Sequence, residues 1–501
     1  MESIRIRNLR SLQDTGQIDV RKLNILVGGN SSGKSTFLRV FPLLKQTFNK
    51  KINGPILWCG DDDDYVDFGS FKEAVNYTAK EKCIHLDFEL WLEYLNLMHG
   101  YNFSAKKTAS QKTKIEFVIK NNEDTGSDFI SSMRYQVRNI NIYIEFSNKN
   151  EIKKVVFNEN EIPVDNEKTY YFYLGFNQGI FDISLLPLRQ EAIRHLAEIF
   201  KMTDEEIHNT TKMEEGASYI VLKKIFHGKE YKKYSDKIVN EMEEIYSGEN
   251  KDEIERWSFL YNFPIFFISA SNYLRNYFKN VYYIAPVRAT AERYYRLRNS
   301  AVDEIDCRGK NLPIFLNSLS VSDFKDFQKW TKKYLGFEVV KNISKGHVSL
   351  KVRKEGQKRA INLSDTGFGY SQILPIITQI WYISKKEYGP FINIDMMAPT
   401  TIVIEQPELH LHPALQAKLI DIIVKVAYQG DIKFIIETHS ETVVNRVGNA
   451  ISKKEISNQD VGVIIFEKEF GEDNTTVKKG GFDEEGYLEN WPVGFFEPDK
   501  E

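Results

Sequence analysis

The stretch GGNSSGKST, residues 28–36, carries the strongest structural signal in this chain. It matches the pattern G-x-x-x-x-G-K-[ST], in which glycines let backbone N–H groups face a phosphate, the lysine spans the β- and γ-phosphates and the hydroxyl reaches Mg²⁺. The apolar run NILV, residues 24–27, precedes it, and apolar side chains recur at helical spacing over residues 37–44. Strand, glycine loop and helix follow one another in the order that a phosphate-binding loop requires. The residues that we expect to bind nucleotide are Gly28, Asn30, Ser31, Gly33, Lys34, Ser35 and Thr36.

Three further segments carry candidate site residues. The first, TTIVIEQPE at residues 400–408, is a short apolar strand that ends in Glu405, Gln406 and Glu408, and LHLHP follows it. A P-loop ATPase needs such a strand, ending in an acid that holds Mg²⁺. The second, FIIETHS at residues 434–440, places His439 just after another short strand. The third is LSDTGFGYSQ, residues 363–372, which lies before a predicted helix.

Together these motifs resemble the ABC-type ATPases of the SMC, RecF and OLD branch, over residues 1–70 and 281–450. The resemblance implies ATP and Mg²⁺ as cofactors. It places Glu405, with Ser35, at the Mg²⁺ ion, and Gln406 at the position of the catalytic carboxylate. It also implies that His439 contacts the γ-phosphate.

Gln406 is a departure from the family pattern with a chemical consequence. A carboxylate can take the proton of an attacking water, whereas a neutral amide can orient the water but cannot accept its proton. General-base contributions are typically about 10²–10⁴-fold. We therefore expect tight ATP binding with slow or absent hydrolysis. The alternative is that Glu408, two residues further on, acts as the base.

The segment at residues 363–372 occupies the place of the family's signature loop. In the resembled family, signature residues reach across a dimer to the γ-phosphate bound by the partner, which implies self-association as an ATP sandwich and a higher oligomer. Small residues permit close approach, and a helix start offers N–H donors. A helix-capping turn is the structural alternative for this loop. The residues concerned are Gly367, Gly369, Ser371 and Gln372.

Composition and length bound the architecture. The chain has 501 residues, 42% of them hydrophobic, and 67 basic against 70 acidic side chains give a net charge of −3. The three cysteines are far apart, which argues against a disulfide framework or a structural zinc site. The densest apolar stretch, residues 263–270, is about half the ~18 residues of a membrane span, so we expect a cytoplasmic protein without a membrane partner.

Strand and helix patterns predict an α/β fold, a P-loop ABC-type ATPase head with an antiparallel β subdomain and an inserted helical region. The predicted division has four parts. These are an ATPase lobe with the P-loop at 1–100, a β-rich insertion at 101–185, a helical insertion at 186–280, and a second ATPase lobe at 281–501.

Two basic stretches are candidates for DNA contact. Residues 341–359 hold seven Lys or Arg against one acid, and Arg288, Arg293, Arg296 and Arg298 are interleaved with tyrosines. Such clusters give salt-dependent, sequence-independent affinity for phosphates, although a charge run is more often a solvated face.

The likeness extends to the ATPase subunits of Septu anti-phage systems, on the QPELHLHP variant and the GFGYSQ loop. It implies a separate HNH-type nuclease subunit as partner, since only about 60 residues follow His439 and a nuclease fold of ~100 residues does not fit there. A RecF- or SMC-like DNA repair ATPase with real turnover is the main alternative. The nucleotide-binding subunit of a membrane transporter is the third and weakest.

Overall fold

The computed structural model describes nine segments of the chain and divides them into two compact units, which we describe separately. The first unit comprises Met1–Glu2, Asn53–Pro55 and His85–Leu274, and the second comprises Ser3–Ile52, Ile56–Ile84 and Arg275–Glu501. The described segments are residues 1–61, 64–94, 109–164, 186–199, 251–297, 302, 304–387, 399–469 and 471–490.

The elements are numbered in chain order. The strands are β1 (Ser3–Leu9), β2 (Leu12–Asp14), β3 (Ile18–Asp19), β4 (Leu23–Gly28), β5 (Cys83–Tyr94), β6 (Ala109–Asn121), β7 (Asp128–Val137), β8 (Ile140–Phe146), β9 (Ile152–Phe157), β10 (Asn160–Ile162), β11 (Val281–Ile284), β12 (Tyr295–Arg296), β13 (Phe337–Ser344), β14 (His347–Lys354), β15 (Ile361–Asn362), β16 (Thr401–Glu405), β17 (Lys433–Glu437), β18 (Val461–Glu467), β19 (Thr476–Phe482) and β20 (Leu488–Glu489). The helices are α1 (Lys34–Asn49), α2 (Phe71–Ala74), α3 (Leu186–Ile199), α4 (Lys251–Lys279), α5 (Leu312–Ser318), α6 (Val321–Leu335), α7 (Phe368–Glu387), α8 (Pro413–Gln429) and α9 (Glu441–Ser452).

A seven-stranded sheet forms the core of the second unit, in the order β11-β16-β17-β4-β18-β19-β20. The first five of these strands pair in parallel, and every residue of β4 and β16 is buried. Continuous apolar strands are typical of a parallel sheet that is covered on both faces. The order places β17 between the P-loop strand β4 and β16, so the carboxyl ends of all three strands meet at one edge. Ligands of open α/β sheets bind at this edge.

The turn between β4 and α1 requires glycine at two positions. Gly28 has φ 151°, and a Cβ there would lie 2.1 Å from the carbonyl oxygen of Phe466. Gly33 precedes α1 with φ 92°, and a Cβ there would lie 2.9 Å from the Ser11 hydroxyl. At both positions, the positive φ and the close neighbouring atoms exclude any residue other than glycine. These two glycines let the chain reverse from the buried strand into the helix.

A smaller antiparallel sheet in the second unit carries the basic segment. Its order is β12-β14-β13, and β15 pairs with β14. Helix α6 packs against β13 through its buried face, which includes Phe324 and Phe327. Ser320 caps this helix by accepting a hydrogen bond of 3.0 Å from the backbone N–H of Asp323.

The first unit contains the predicted antiparallel β subdomain. Strands β5 to β10 are neighbours in sequence order, and β8 alternates between buried and half-buried residues along its whole length. In the predicted helical insertion the structure describes α3 and α4, where His195 stacks on Trp257 at 3.8 Å. Residues 200–250 of that insertion lie outside the described residues. The four-part division of the chain stays a prediction.

Candidate functional site

A cavity of about 350 Å³ lies over the turn between β4 and α1. Residues 30–36 form one wall, together with Arg10, Ser11 and Arg39. Gln406, Glu437 and His439 complete the lining, and all three stand at or just beyond the carboxyl ends of β16 and β17. The strand order therefore brings together side chains that are about 400 residues apart in sequence.

Lys34 is the cation at the base of this cavity. Its side chain is buried, and Nζ donates hydrogen bonds to the carbonyl oxygens of Gly28 at 3.0 Å and Gly29 at 2.6 Å. Burial lowers the pKa of Lys34, and the nearby Glu437 carboxylate opposes that shift. A lysine at the start of a helix, beside the glycine loop that precedes it, is an anion-binding arrangement.

Glu405, the acid expected at the Mg²⁺ ion, is held in a buried ion pair. Its side chain is 2% exposed, and its two oxygens accept hydrogen bonds from Arg39 Nε at 2.7 Å and Nη2 at 2.8 Å. The hydroxyl of Tyr283 donates a third hydrogen bond to Oε1, at 2.7 Å. The pairing raises the pKa of Arg39, and burial raises the pKa of Tyr283. Both carboxylate oxygens of Glu405 are therefore already hydrogen-bonded to protein side chains.

Glu437 is a site residue that the sequence reasoning missed. Its Oε1 accepts a hydrogen bond of 2.9 Å from the hydroxyl of Ser35, and its Oε2 is buried without a partner among the described residues. Burial, with a smaller contribution from the charge of Glu405, raises its pKa to about 7. One sequence signal could have found it, since Glu437 ends an apolar strand as Glu405 does.

Gln406 occupies a strained turn beyond β16. Its φ of 44° is left-handed, and its backbone N–H donates to the carbonyl oxygen of Glu437 at 2.8 Å. Arg288 Nη2 donates to the carbonyl oxygens of Glu405 at 3.0 Å and Gln406 at 3.2 Å. These bonds hold the turn so that the half-buried Gln406 side chain faces the cavity.

The placement of Arg288 corrects one sequence expectation. We grouped it with basic residues that could meet DNA, but its side chain is buried, and desolvation lowers its pKa to about 10. It supports the turn after β16 instead of facing solvent.

Glu408 and His439 are joined to one another. Glu408 Oε1 accepts a hydrogen bond of 2.8 Å from the backbone N–H of His439, and burial raises the pKa of Glu408. The His439 side chain is half-buried and lines the cavity. Burial and the charge of Lys34 lower its pKa, which favours the neutral imidazole.

The signature segment presents only part of itself to solvent. The Ser371 hydroxyl donates to the carbonyl oxygen of Phe368 at 2.7 Å, and Gln372 Nε2 donates to the carbonyl oxygen of Arg288 at 3.4 Å. Both side chains are buried. Gly367 and Phe368 are exposed at the start of α7, while Gly369 lies close to the carbonyl oxygen of His410.

A second hollow, of about 780 Å³, gathers basic side chains from both predicted stretches. Arg293 comes from the first stretch, and Lys351, Lys358 and Arg359 come from the second. They meet because β12 pairs with β14. Lys341 does not contribute, since its Nζ donates inward to the carbonyl oxygen of Leu316.

Comparison with protein families supports the assignment of residues 28–36 as the phosphate-binding loop of an ATPase. The family model described as AAA ATPase domain matches residues 1–444. This chain belongs to the AAA ATPase domain family. Membership confirms the predicted α/β P-loop ATPase fold, and it implies nucleotide binding, usually with Mg²⁺.

Solved structures similar to this AAA ATPase include three SMC head domains. The Smc head domain of Pyrococcus furiosus, with an extended coiled coil and bound to the C-terminal domain of ScpA, is 12% identical, with a TM-score of 0.30 and 95% of each chain covered. The head domain of Thermotoga maritima is 10% identical, with a TM-score of 0.32, covering 95% of this chain and 98% of that one. The head domain of Pyrococcus yayanosii, with a coiled coil and joint, is 10% identical, with a TM-score of 0.36 and 97% of each chain covered. Among curated proteins, none matches the sequence.

The donors of this AAA ATPase suit a nucleotide with a hard cation. Carboxylate and hydroxyl oxygens are the ligands that Mg²⁺ prefers, and the buried, unpartnered Oε2 of Glu437 lies beside the Ser35 hydroxyl. In the described part of the chain, no group of three or more His, Cys, Asp or Glu side chains has the arrangement of a separate metal centre. Nor does any helix there have the length and apolar character needed to cross a membrane.

Proposed function

We propose that this chain is an SMC-like ABC ATPase that binds ATP with Mg²⁺ and hydrolyses it slowly or not at all. The observation that carries the proposal is the position of Gln406, whose side chain lines the phosphate-loop cavity at the end of β16. An amide there orients water without removing its proton, so the chain keeps its nucleotide. ATP then acts as a clamp.

Each side chain of the cavity has a task in this proposal. The loop N–H groups and Lys34 bind the phosphates, and neutral His439 offers a ring N–H to the terminal phosphate. The Ser35 hydroxyl and an acid at a strand end hold the cation, which when bound neutralises phosphate charge. Arg288 fixes the turn that carries Gln406 through its two carbonyl contacts.

The exposed start of α7 supports an assembly role. Gly367 is exposed with nothing within 4 Å of a Cβ built on it, and the neighbouring Phe368 side chain is 61% exposed. A surface of this kind permits close approach by a second copy, with Gly367, Gly369, Ser371 and Gln372 at or beside the contact. If nucleotide is enclosed between two copies, its binding free energy becomes association free energy. In this proposal the ATP-bound oligomer scaffolds and gates a separate HNH-type nuclease subunit of an anti-phage system.

The basic hollow favours a second candidate, a DNA repair ATPase with real turnover. Lys351, Lys358 and Arg359 converge there with Tyr294, while Arg293 is paired with Asp365 in the same hollow. Clustered cations beside an exposed aromatic ring suit a nucleic acid backbone and its bases. A hollow of this kind serves DNA contact in either role, so turnover is the property that distinguishes the two.

The decisive measurement combines native mass and phosphate release. We expect an ATP-dependent rise in mass, a copurifying nuclease chain and negligible phosphate release. Lys34→Ala should abolish nucleotide binding and the rise in mass, while Lys478→Ala, an exposed lysine paired with Glu467, serves as the matched control. If phosphate release is rapid and stimulated by DNA, and no nuclease chain copurifies, the scaffold proposal is wrong and the DNA repair ATPase is the better assignment.

A further inference from the structure

Two buried glutamates end neighbouring strands at the edge of the central sheet. Glu405 closes β16 and Glu437 closes β17, and the two residues are direct partners in the parallel register. Each side chain is 2% exposed. The two side chains are chemically identical and equally buried, so they differ only in their hydrogen-bond partners.

Glu405 is fully committed to the protein. Arg39 binds both of its oxygens, at 2.7 and 2.8 Å, and Tyr283 adds a third donor at 2.7 Å. A Mg²⁺ ion on this carboxylate would have to displace the guanidinium, or else add two positive charges to that of Arg39 beside a single acid. A carboxylate with a bidentate arginine is therefore a poor first choice for a metal.

Glu437 has the opposite character. Among the described residues, its side chain accepts a hydrogen bond from the Ser35 hydroxyl, the group that a phosphate-binding loop offers to its cation. Its second oxygen is buried without a partner among the described residues, in a side chain that lines the cavity. An orphaned carboxylate oxygen is costly unless a ligand satisfies it.

We propose that Glu437, and not Glu405, is the carboxylate that holds the Mg²⁺ ion of the nucleotide beside Ser35. The Arg39–Glu405 pair is then a structural support of the sheet edge. This inference rests on the proposed ATP binding, and it moves the metal site from the strand of the family's acid motif to the neighbouring strand. It also gives a chemical role to Glu437, the residue directly before Thr438 and His439.

The test measures metal affinity directly, with Mn²⁺ as an electron paramagnetic resonance probe for Mg²⁺ and a nonhydrolysable ATP analogue as the nucleotide. Glu437→Gln keeps the size of the side chain and an acceptor for Ser35. We expect it to weaken Mn²⁺ binding to the protein–nucleotide complex by about 10–100-fold, the usual range for loss of a supporting metal contact. Nucleotide binding in EDTA should be unchanged, since Lys34 and the loop remain.

Glu405→Gln is the matched variant, with the same change on the neighbouring strand. We expect Mn²⁺ affinity to stay at the wild-type value in Glu405→Gln and to recover in part in Glu437→Asp. Wild-type Mn²⁺ affinity in Glu437→Gln would overturn the proposal, and this holds even if Glu405→Gln does not fold. For that case Tyr283→Phe is the second variant, because it removes one contact of Glu405 and should leave Mn²⁺ affinity unchanged.

Failure of the metal assignment and failure of the proposed function have different signatures. If the chain binds the ATP analogue in a Lys34-dependent manner while Glu437→Gln holds Mn²⁺ normally, only the assignment of Glu437 is wrong. If the wild-type chain does not bind the analogue with or without metal, the proposed ATP binding itself is wrong.

Discussion

The Glu408 carboxylate accepts a hydrogen bond of 2.8 Å from the backbone N–H of His439. This contact ties the turn after β16 to the loop after β17, so the two segments that line the cavity are positioned together. It also occupies one oxygen of Glu408, the only acid in the QPELHLHP motif.

We expect Glu408→Gln to leave residual hydrolysis unchanged, because the amide oxygen still accepts from His439 and the carboxylate does not serve as the base. Glu408→Ala should destabilise the chain by about 1–3 kcal/mol, since it leaves a partly buried N–H without its acceptor. Single-turnover phosphate release and urea unfolding measure the two effects. A loss of hydrolysis in Glu408→Gln with intact ATP binding would identify Glu408 as the base.

Gln406→Glu should raise the rate of hydrolysis. The substitution keeps the shape of the side chain and adds a proton acceptor, whose contribution is typically about 10²–10⁴-fold. Gln406→Ala is the control and should stay as slow as the wild type. Multiple-turnover phosphate release at saturating ATP is the measurement. An unchanged rate in Gln406→Glu, with normal ATP affinity, contradicts the assignment of this position.

The burial of Glu405 predicts a difference between two arginine pairs of the same geometry. Arg39 and Arg446 each form a bidentate pair and are about equally exposed, but Glu405 is 2% exposed and Asp421 is 39% exposed. Arg39→Ala should cost about 3–5 kcal/mol, because it leaves a buried charge without its partner. Arg446→Ala should cost only about 0.2–1 kcal/mol. Urea unfolding of both variants measures the difference, and equal midpoints would show that Glu405 does not depend on Arg39.

The basic hollow predicts a salt-dependent contribution to DNA affinity. Lys358→Ala and Arg359→Ala should each weaken binding of a DNA duplex and lower the slope of log affinity against log salt by about 1. Lys478→Ala is the control from a different part of the surface. Fluorescence anisotropy over a range of salt concentrations is the measurement. If all three variants bind DNA with the same slope as the wild type, the hollow is a solvated surface.

Structure is most predictable from this sequence where the signal is local. The phosphate loop, the strand that ends at Glu405 and the antiparallel β subdomain were predicted, because glycine positions and hydrophobic periodicity act over a few residues. The role of Arg288 was missed, since a buried arginine that supports a backbone turn looks the same in sequence as an exposed one. Ser371 and Gln372 stay predictions as contacts to a partner; both side chains are buried within the chain, while Ser364, Asp365, Gly367 and Phe368 of the same segment are exposed.

The amino-acid order alone specified a P-loop, its flanking strand and helix, and an amide, Gln406, directly after the acid that ends β16. All of these are properties of contiguous residues. The hydrogen-bond partners of Glu405 and Glu437, the acids that end β16 and β17, were decided by the tertiary structure. Ser35 meets Glu437 across 402 positions of sequence, and Arg39 meets Glu405 across 366. Periodicity predicts strands but not which strands become neighbours, and that order decides which acid faces the nucleotide loop and which is neutralised by an arginine.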